Sequence, residues 1–109
     1  MDTGKIAEAI DIVQRYMRVI ETEFDIDAVY IHGSYVTGLS TEDSDIDVAV
    51  VSNSFSDDTY ENTVKLMQLR RKVDFRIEPH PFRLEEFDLC NPYVKEIVAT
   101  GIKISLPKT

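Results

Sequence analysis

The stretch from residue 28 to residue 52 decides the fold, and it reads AVYIHGSYVTGLSTEDSDIDVAVVS. Its two ends, 28–32 (AVYIH) and 46–52 (IDVAVVS), are rich in β-branched and aromatic residues, which favours two strands, the second of them buried. Gly33 and Ser34 follow the first strand directly, where glycine commonly marks a turn. The stretch therefore predicts a strand, a polar loop and a second strand.

The flanking sequence predicts the rest of a small α/β domain. Apolar residues at steps of three and four indicate an amphipathic first helix, and an alternation of apolar and charged residues indicates a third strand before two prolines. In chain order we expect a helix over 5–24, a short mixed segment over 34–39 and a turn at 41–44. After the second strand we expect a helix that is capped by Asp57 or Asp58, has Tyr60, Val64 and Met67 on one face and ends at 70–71, followed by a strand over 72–78 and a break at Pro79 and Pro81. The remaining elements are a helical turn over 84–87, a helix that begins at 91–92 and ends at Gly101, and a short edge strand over 102–106. This order describes one α/β (α+β) domain over residues 1–109, with a small mixed sheet of three to four strands flanked by helices.

The charge of the chain is acidic and unevenly distributed. Its 109 residues include 20 Asp and Glu against 12 Lys and Arg, a net charge of −8 at pH 7, and the excess lies in residues 1–54. This balance argues against a nucleic-acid-binding module that neutralises phosphates with a basic surface. The single Cys90 offers no disulfide, and neither an apolar run of about 18 residues nor a signal peptide is indicated. We therefore expect a cytoplasmic protein with no membrane contact.

Asp45 and Asp47 stand two residues apart at the start of the second strand, so their side chains project from the same face. Two carboxylates about 4 Å apart repel each other by roughly 4 kcal/mol at an effective dielectric constant near ~20, unless a proton or a cation relieves the repulsion. A hard divalent cation such as Mg²⁺ suits this chemistry. Asp74, on the polar face of the predicted third strand, is the natural third carboxylate.

Alternative roles for the polar residues fail, with one exception. A calcium-binding loop beginning at Asp43 would need glycine where Val48 stands and glutamate where Ser54 stands. An aspartyl-phosphate enzyme would carry its aspartates at the end of a hydrophobic strand, whereas the apolar run here follows them. His32 and His80 lack the sequence context of a zinc site and are expected to be structural. The residues alone leave one alternative open, namely that Asp45 and Asp47 are simply solvated surface residues at the start of the strand.

Gly33 and Ser34 place free backbone N–H groups and a hydroxyl at the start of a predicted helical turn, an arrangement typical of anion binding. A Gly-Ser pair by itself is weak evidence. Here it combines with a second glycine, Gly38, and with Asp45 and Asp47, eleven and thirteen residues after Ser34. One short loop thus joins a phosphate-binding turn to a pair of candidate metal ligands.

The segment GSYVTGLSTEDSDIDVAVV resembles the signature of the nucleotidyltransferases of the DNA polymerase beta superfamily, and among them the minimal, single-domain prokaryotic branch. That signature is Gly-Ser, a short spacer, Asp-x-Asp between hydrophobic residues and a third carboxylate on a later strand. The resemblance spans residues 30–52, extends loosely to residue 78 and returns in the tail NPYVKEIVATGIKI. It implies the nucleotidyltransferase fold of that superfamily.

The resemblance also implies roles for individual residues. Gly33 and Ser34 would bind a nucleoside triphosphate. Asp45 and Asp47 would bind two Mg²⁺ ions, with Asp74 completing the metal site. The implied reaction is transfer of a nucleoside monophosphate, AMP from ATP, to a hydroxyl acceptor.

A partner protein is the acceptor that the resemblance implies. Minimal relatives frequently occur beside a small helical HEPN-type protein and act as its antitoxin by attaching AMP to it. The acceptor that the resemblance implies is a tyrosine hydroxyl of such a partner. A non-catalytic subunit that neutralises such a partner by occupying its surface is the alternative function. Homo-oligomerisation of the chain stays open.

The sequence departs from that branch directly after Gly-Ser, where many members have arginine and this chain has Tyr35. Phosphate binding would then rest on backbone amides and metal. Tyr35 is expected to pack into the core, with stacking on a nucleobase as the alternative. Arg76 and Glu78 share the predicted face of Asp74 and are secondary site candidates.

Overall fold

The structure, a computed structural model, describes residues 3–38 and 44–105. Its elements are α1 (Thr3–Ile20), β1 (Ile26–His32), α2 (Ser34–Thr37), β2 (Ile46–Ser52), α3 (Thr59–Leu69), β3 (Ile77–Arg83), α4 (Pro92–Thr100) and β4 (Ile102–Lys103), with 3₁₀ turns at Arg70–Lys72 and Leu84–Glu86. Residues 41–43 of the predicted turn at 41–44 and the last residues of the predicted segments 34–39 and 102–106 lie outside the described residues. In the part of the chain that the structure describes, no helix is both long enough and apolar enough to cross a membrane.

The four strands form one mixed sheet in the order β3-β2-β1-β4. β1 pairs antiparallel with β2 and with β4, and the connection through the Gly-Ser loop sets His32 opposite Asp47. The connection from β2 through α3 returns the chain to the same end of the sheet, so β3 runs parallel to β2. The predicted α+β class with a small mixed sheet is therefore confirmed.

One face of the sheet carries the main hydrophobic core. Val29, Ile31 and Val48 point to this face and are buried beneath the apolar stripe of α1. Tyr16 of α1 reaches α3, where its hydroxyl donates to the carbonyl oxygen of Leu66 at 2.6 Å. Each large apolar side chain that is fully buried stabilises the fold by about 1.5–3 kcal/mol. The side chains of the apolar stripe therefore hold α1 on the sheet.

The side chains that alternate with the buried core residues along each strand point to the opposite face of the sheet. His32, Asp47 and Glu78 lie there in register across β1, β2 and β3. α4 covers part of this face, with Val94 and Ile97 buried. The space between α4 and the strands is where the polar residues meet.

The third strand lies later in the chain than the alternation at 72–78 predicts. β3 runs over Ile77–Arg83, so Pro79 and Pro81 lie inside a strand that they were expected to prevent. Among the described strands β3 has one neighbour, β2, and its other edge is open. In an edge strand, the backbone nitrogens of every second residue point away from the neighbouring strand. Prolines two residues apart can occupy these positions without the loss of a hydrogen bond between the strands.

α3 buries a different face from the predicted one. Its cap is Asp58, whose carboxylate accepts the backbone N–H of Glu61 at 3.0 Å. The buried residues of the helix are Asn62 and Leu66, whereas Tyr60 is 79% exposed. The polar Asn62 is buried because its side chain hydrogen-bonds the loop before the helix, a contact that helical periodicity does not reveal.

Candidate functional site

A cavity of about 330 Å³ lies between α4 and the polar face of the sheet. Gly33 and Thr37 line it from the loop after β1, Asp47 and His80 from the strands, and Tyr93 from the first turn of α4. These residues are far apart in sequence, and the order of the strands brings them together. The cavity thus joins the Gly-Ser loop to one aspartate of the Asp-x-Asp pair.

Three side chains with metal-ligating atoms meet in this cavity: Asp47, Glu78 and His80. One ligand atom of each lies within 4.8 Å of the other two. Asp47 is the register partner of Glu78 across the parallel strands, and His80 follows two residues later, so the three project from the same face. The His80 Nε2 is 3.3 Å from Oδ1 of Asp47. The cluster therefore offers two carboxylates and one imidazole to a single ion.

Gly33 makes room for the carboxylate of Asp47. Its φ is +78°, in the region that glycine adopts at little cost. A Cβ at this position would overlap Oδ2 of Asp47. The backbone of the Gly-Ser loop can therefore lie directly against the aspartate only because residue 33 has no side chain.

The cavity carries an excess of negative charge. The pKa of the Glu78 carboxyl is raised because it shares a hydrogen bond with Asp47, and burial and the charges of Asp47 and Asp45 raise it further. Burial, followed by the charges of the neighbouring carboxylates, also raises the pKa of the Tyr93 hydroxyl. A cation would relieve this repulsion, and oxygen-rich donor sets are those that divalent cations prefer. The residues present therefore fit a divalent metal ion.

His32 lies in β1 beside the cluster and is 8% exposed. Its Nε2 is buried and, among the described residues, has no hydrogen-bond partner. Burial lowers the pKa of this ring, which favours the neutral form. Its centroid lies 5.4 Å from that of the His80 ring and 5.9 Å from that of Tyr93. His32 thus supports the two rings that line the cavity.

Asp45 lies just before β2 and is exposed. It lines a second cavity, of about 620 Å³, whose other walls include Thr59 and Arg70. Glu78 and His80 line both cavities. Glu78 and His80 therefore lie between two cavities, and Asp45 lines the one that the Gly-Ser loop does not line.

The structure places Asp74 outside the cluster. Asp74 precedes β3, and its two carboxylate oxygens accept hydrogen bonds from Nε and Nη2 of Arg76 at 3.1 and 3.0 Å. The same Nη2 is 3.0 Å from Oε1 of Glu8 in α1. The Arg76 hydrogen bonds hold the pKa of Asp74 below its usual range. The expected placement of Asp74 on the third strand is wrong, because β3 begins at residue 77 and Glu78 takes the position beside Asp47.

The other two predicted residues of this loop, Ser34 and Tyr35, are not among the described residues that line the cavity. Ser34 is the first residue of α2, and its carbonyl oxygen accepts the backbone N–H of Gly38, whose φ is +81°. Tyr35 is 5% exposed and belongs to the hydrophobic core. The expectation that Tyr35 packs into the core is therefore confirmed.

A family model described as Polymerase beta, Nucleotidyltransferase matches residues 14–105. The chain belongs to this nucleotidyltransferase family. The match covers the Gly-Ser loop, the Asp-x-Asp pair and the Glu78–His80 segment, so the geometry described above is the candidate active site of a nucleotidyltransferase.

Relatives and solved structures agree with the family. A Methanocaldococcus jannaschii protein provisionally named a protein adenylyltransferase is 23% identical over 93 residues, which cover 85% of this nucleotidyltransferase chain and 90% of the relative. A solved structure from Sulfolobus solfataricus, provisionally named a nucleotidyltransferase, matches with a TM-score of 0.66 at 16% identity and covers 93% of this chain and 83% of that one. A toxin–antitoxin structure with AMP-PNP matches with a TM-score of 0.56 at 20% identity, over 87% of this chain and 74% of that one. These structures share the fold.

His80 is the residue of this nucleotidyltransferase site that sequence reasoning missed. Glu78 and His80 alternate in the same way as Asp45 and Asp47, and that alternation was the available signal. Two prolines, Pro79 and Pro81, concealed this alternation, because prolines argue against a strand.

Proposed function

We propose that this domain is a cytoplasmic enzyme that transfers AMP from ATP to a hydroxyl group of a partner protein. The observation that carries the proposal is the pair of carboxylates Asp47 and Glu78, set in register on adjacent strands against Gly33. Mg²⁺ in proteins is commonly bound by one or two carboxylates together with substrate phosphates. The relative named as a protein adenylyltransferase and the neighbour with AMP-PNP support the choice of nucleotide and acceptor.

Asp45, Asp47 and Glu78 are the residues that would hold the metal, as two Mg²⁺ ions in this proposal. When bound, Mg²⁺ neutralises triphosphate charge and lowers the pKa of the acceptor hydroxyl. Glu78 replaces Asp74 as the third carboxylate, because Asp74 is bonded to Arg76. The hydrogen bond with Asp47, burial and the charge of Asp47 raise the pKa of Glu78, and a cation would stabilise the ionised form of two carboxyl groups placed so close together.

The Gly-Ser loop is proposed to bind the triphosphate. Gly33 brings its backbone against Asp47, and Thr37 adds a hydroxyl to the wall of the same cavity. Ser34 lies between them in sequence and contributes a further backbone N–H and a hydroxyl. These groups orient phosphate beside the carboxylates, and orientation with charge neutralisation is most of what phosphoryl-transfer chemistry requires.

The proposed acceptor is a tyrosine hydroxyl on a small helical partner of the HEPN type, with this chain as the antitoxin of the pair. The resemblance of the Gly-Ser and Asp-x-Asp segment to the minimal branch supports this partner. The fold shared with a toxin–antitoxin structure supports it as well. The net charge of −8 favours a protein over a nucleic acid as the partner.

Glu78→Gln and Asp74→Asn form a matched pair of variants that tests the site. The full chain is incubated with labelled ATP, Mg²⁺ and a helical protein that co-purifies with it, and label on that protein is measured. We expect Glu78→Gln to lower the transfer rate more than about 100-fold, since even changes behind a metal ligand cost ~10–100-fold. Asp74→Asn should keep most of the rate, because Asp74 touches Arg76 and not the cluster.

Two outcomes would contradict the proposal. If Asp74→Asn abolished transfer while Glu78→Gln transferred at the rate of the unmodified chain, the third carboxylate would be Asp74 and the site described here would be wrong. If the chain formed a tight complex with the helical protein but never labelled it, the function would be that of a non-catalytic antitoxin.

A further inference from the structure

We propose that His80 is a nitrogen ligand of the cation held by Asp47 and Glu78, and that this site therefore prefers a first-row transition ion to Mg²⁺. The inference rests on the proposed function, because it concerns the same cation site. It goes further by naming a ligand that a site made only of carboxylates lacks and by naming the class of ion that the ligand selects.

The position of the imidazole supports this role. Nε2 of His80 faces the carboxylates and lies 3.3 Å from Oδ1 of Asp47, and one ligand atom each of Asp47, Glu78 and His80 falls within 4.8 Å of the others. Such a group of atoms is compact enough to surround one ion. About a third of the His80 side chain is exposed, so solvent ions can reach it from the cavity.

The local sequence holds His80 in this position. Pro79 and Pro81 flank it, and the pyrrolidine ring of each fixes its own φ at about −65°. A residue before proline is also restricted to extended conformations, which applies to His80 itself. In a strand, an extended backbone keeps the imidazole on the same face as Glu78, two residues earlier. The ligand is therefore preorganised before any ion binds.

The chemistry of the donors decides which ions benefit. Mg²⁺ takes oxygen ligands and keeps several waters, so an imidazole adds little to its binding. Imidazole suits Zn, Cu, Fe and Ni, and affinity for a given site of nitrogen and oxygen donors rises along the series from Mn²⁺ through Co²⁺ to Cu²⁺. A site of two carboxylates and one histidine should therefore bind Co²⁺ or Mn²⁺ more tightly than Mg²⁺.

Calorimetric titration of the full chain with Co²⁺ and with Mg²⁺, in the absence of nucleotide, tests the preference. We expect His80→Ala to weaken Co²⁺ binding by at least about tenfold and to change Mg²⁺ binding by less than about threefold. His80→Asp supplies an oxygen donor instead, so it should strengthen Mg²⁺ binding relative to His80→Ala and reduce the preference for Co²⁺. Equal losses for both ions in His80→Ala would overturn the proposal.

A spectroscopic measurement identifies the ligand directly. With Mn²⁺ bound, electron spin echo modulation reports a coordinated ¹⁴N nucleus, and we expect the signal in the unmodified chain and its loss in His80→Ala. His32→Gln is the matched control, because the chain has two histidines and His32 lies next to His80. A signal that disappears in His32→Gln and persists in His80→Ala would assign the ligand to His32 and contradict the proposal.

A measurement on the unmodified chain keeps the test valid if a variant does not fold. Zn²⁺ is diamagnetic, so the ¹⁵N resonances of the two histidine rings can be followed by NMR during its titration. We expect the Nε2 resonance of His80 to shift at stoichiometric Zn²⁺. An unshifted His80 ring in a sample that binds Zn²⁺ would overturn the proposal.

The failure of this inference can be distinguished from the failure of the proposed function. If Asp47→Asn and Glu78→Gln abolish binding of both ions while His80→Ala changes neither, the carboxylate site and the proposed function stand, and the role of His80 is wrong. If Asp47→Asn leaves binding of Co²⁺ and Mg²⁺ unchanged, the cation site itself is wrong, and with it both proposals.

Discussion

A missing side chain at Gly33 allows the Gly-Ser loop to approach the proposed metal ligands. A Cβ there would overlap Oδ2 of Asp47, and φ is +78°. Gly38 has nearly the same φ, +81°, but among the described residues, its chain neighbours aside, no atom lies within 4 Å of the Cβ position. Both glycines meet a backbone requirement, and Gly33 alone of the two also leaves space for a carboxylate.

Gly33→Ala and Gly38→Ala separate these two requirements. Each variant holds an alanine at positive φ, which costs about 1–2 kcal/mol of stability and is measured by urea unfolding. We expect Gly33→Ala in addition to weaken Mg²⁺-dependent ATP binding by at least about tenfold, because the new methyl group displaces the Asp47 carboxylate. Gly38→Ala should bind ATP as the unmodified chain does. Calorimetry that found equal losses of affinity in both variants would show that overlap with Asp47 is not the cause.

At the scale of elements, α1 and α3 are tied by a hydrogen bond as well as by apolar packing. The hydroxyl of Tyr16 is buried and donates to the carbonyl oxygen of Leu66 at 2.6 Å. Burial raises the pKa of this hydroxyl, so it stays protonated and remains a donor. The Leu66 carbonyl also accepts the backbone N–H of Arg70, so it keeps one partner if Tyr16 is changed.

Tyr16→Phe should therefore destabilise the protein modestly. We expect the free energy of unfolding in urea to fall by about 0.5–1.5 kcal/mol, the usual net worth of one hydrogen bond, because the ring is retained and no acceptor is left without a partner. Tyr60→Phe is the control, since Tyr60 is 79% exposed and should change stability by less than about 0.5 kcal/mol. A larger effect at position 60 would mean that the Tyr16 value does not report its hydrogen bond.

The helices and strands differ in how far sequence patterns locate them. The second strand lies over 46–52 as predicted, because a run of β-branched residues has few other local conformations. The predicted position of β3 is wrong because the alternation at 72–78 is a local signal, whereas β3 forms where residues 77–83 can pair with β2. Pro79 and Pro81 fit that strand only at the edge of a sheet, and strand order is not visible in a local pattern.

At the scale of the whole molecule, one arginine connects α1 to the segment that precedes β3. Arg76 bonds Asp74 before β3 and Glu8 in α1. The Asp74 side chain is 22% exposed and that of Arg76 33%, so solvent screens the pair only partly. These contacts join two segments that are distant in sequence, and they engage the carboxylate that was expected to bind metal beside Asp45 and Asp47.

The pH dependence of stability should reveal the Asp74 contact. The pKa of Asp74 is lowered in the folded state by its hydrogen bonds with Arg76, so the unfolded chain binds its proton first as pH falls. The stabilisation is therefore complete above the ordinary pKa of an aspartate and is lost as pH falls through the lowered value. We expect Asp74→Asn to reduce the free energy of unfolding at pH 7 by up to about 1 kcal/mol and the difference to shrink in strong acid.

Asp57→Asn is the control for that measurement, because it makes the same chemical change at an exposed position. Urea unfolding of the three proteins at pH 7, 5 and 3 gives the comparison. A difference between Asp74→Asn and the unmodified chain that stays constant or grows towards pH 3 would show that the carboxylate is not stabilised by Arg76.

The sequence by itself determined the two strands around the Gly-Ser loop, the Asp-x-Asp pair at the start of β2 and the family that the loop indicates. These features are local, since side-chain alternation and turn preference act within a few residues. Tertiary structure alone decided that Glu78 and His80, rather than Asp74, stand beside Asp47. The physical reason is register: a parallel strand aligns after a long crossover, and its alignment depends on how the sheet and its helices pack as a whole.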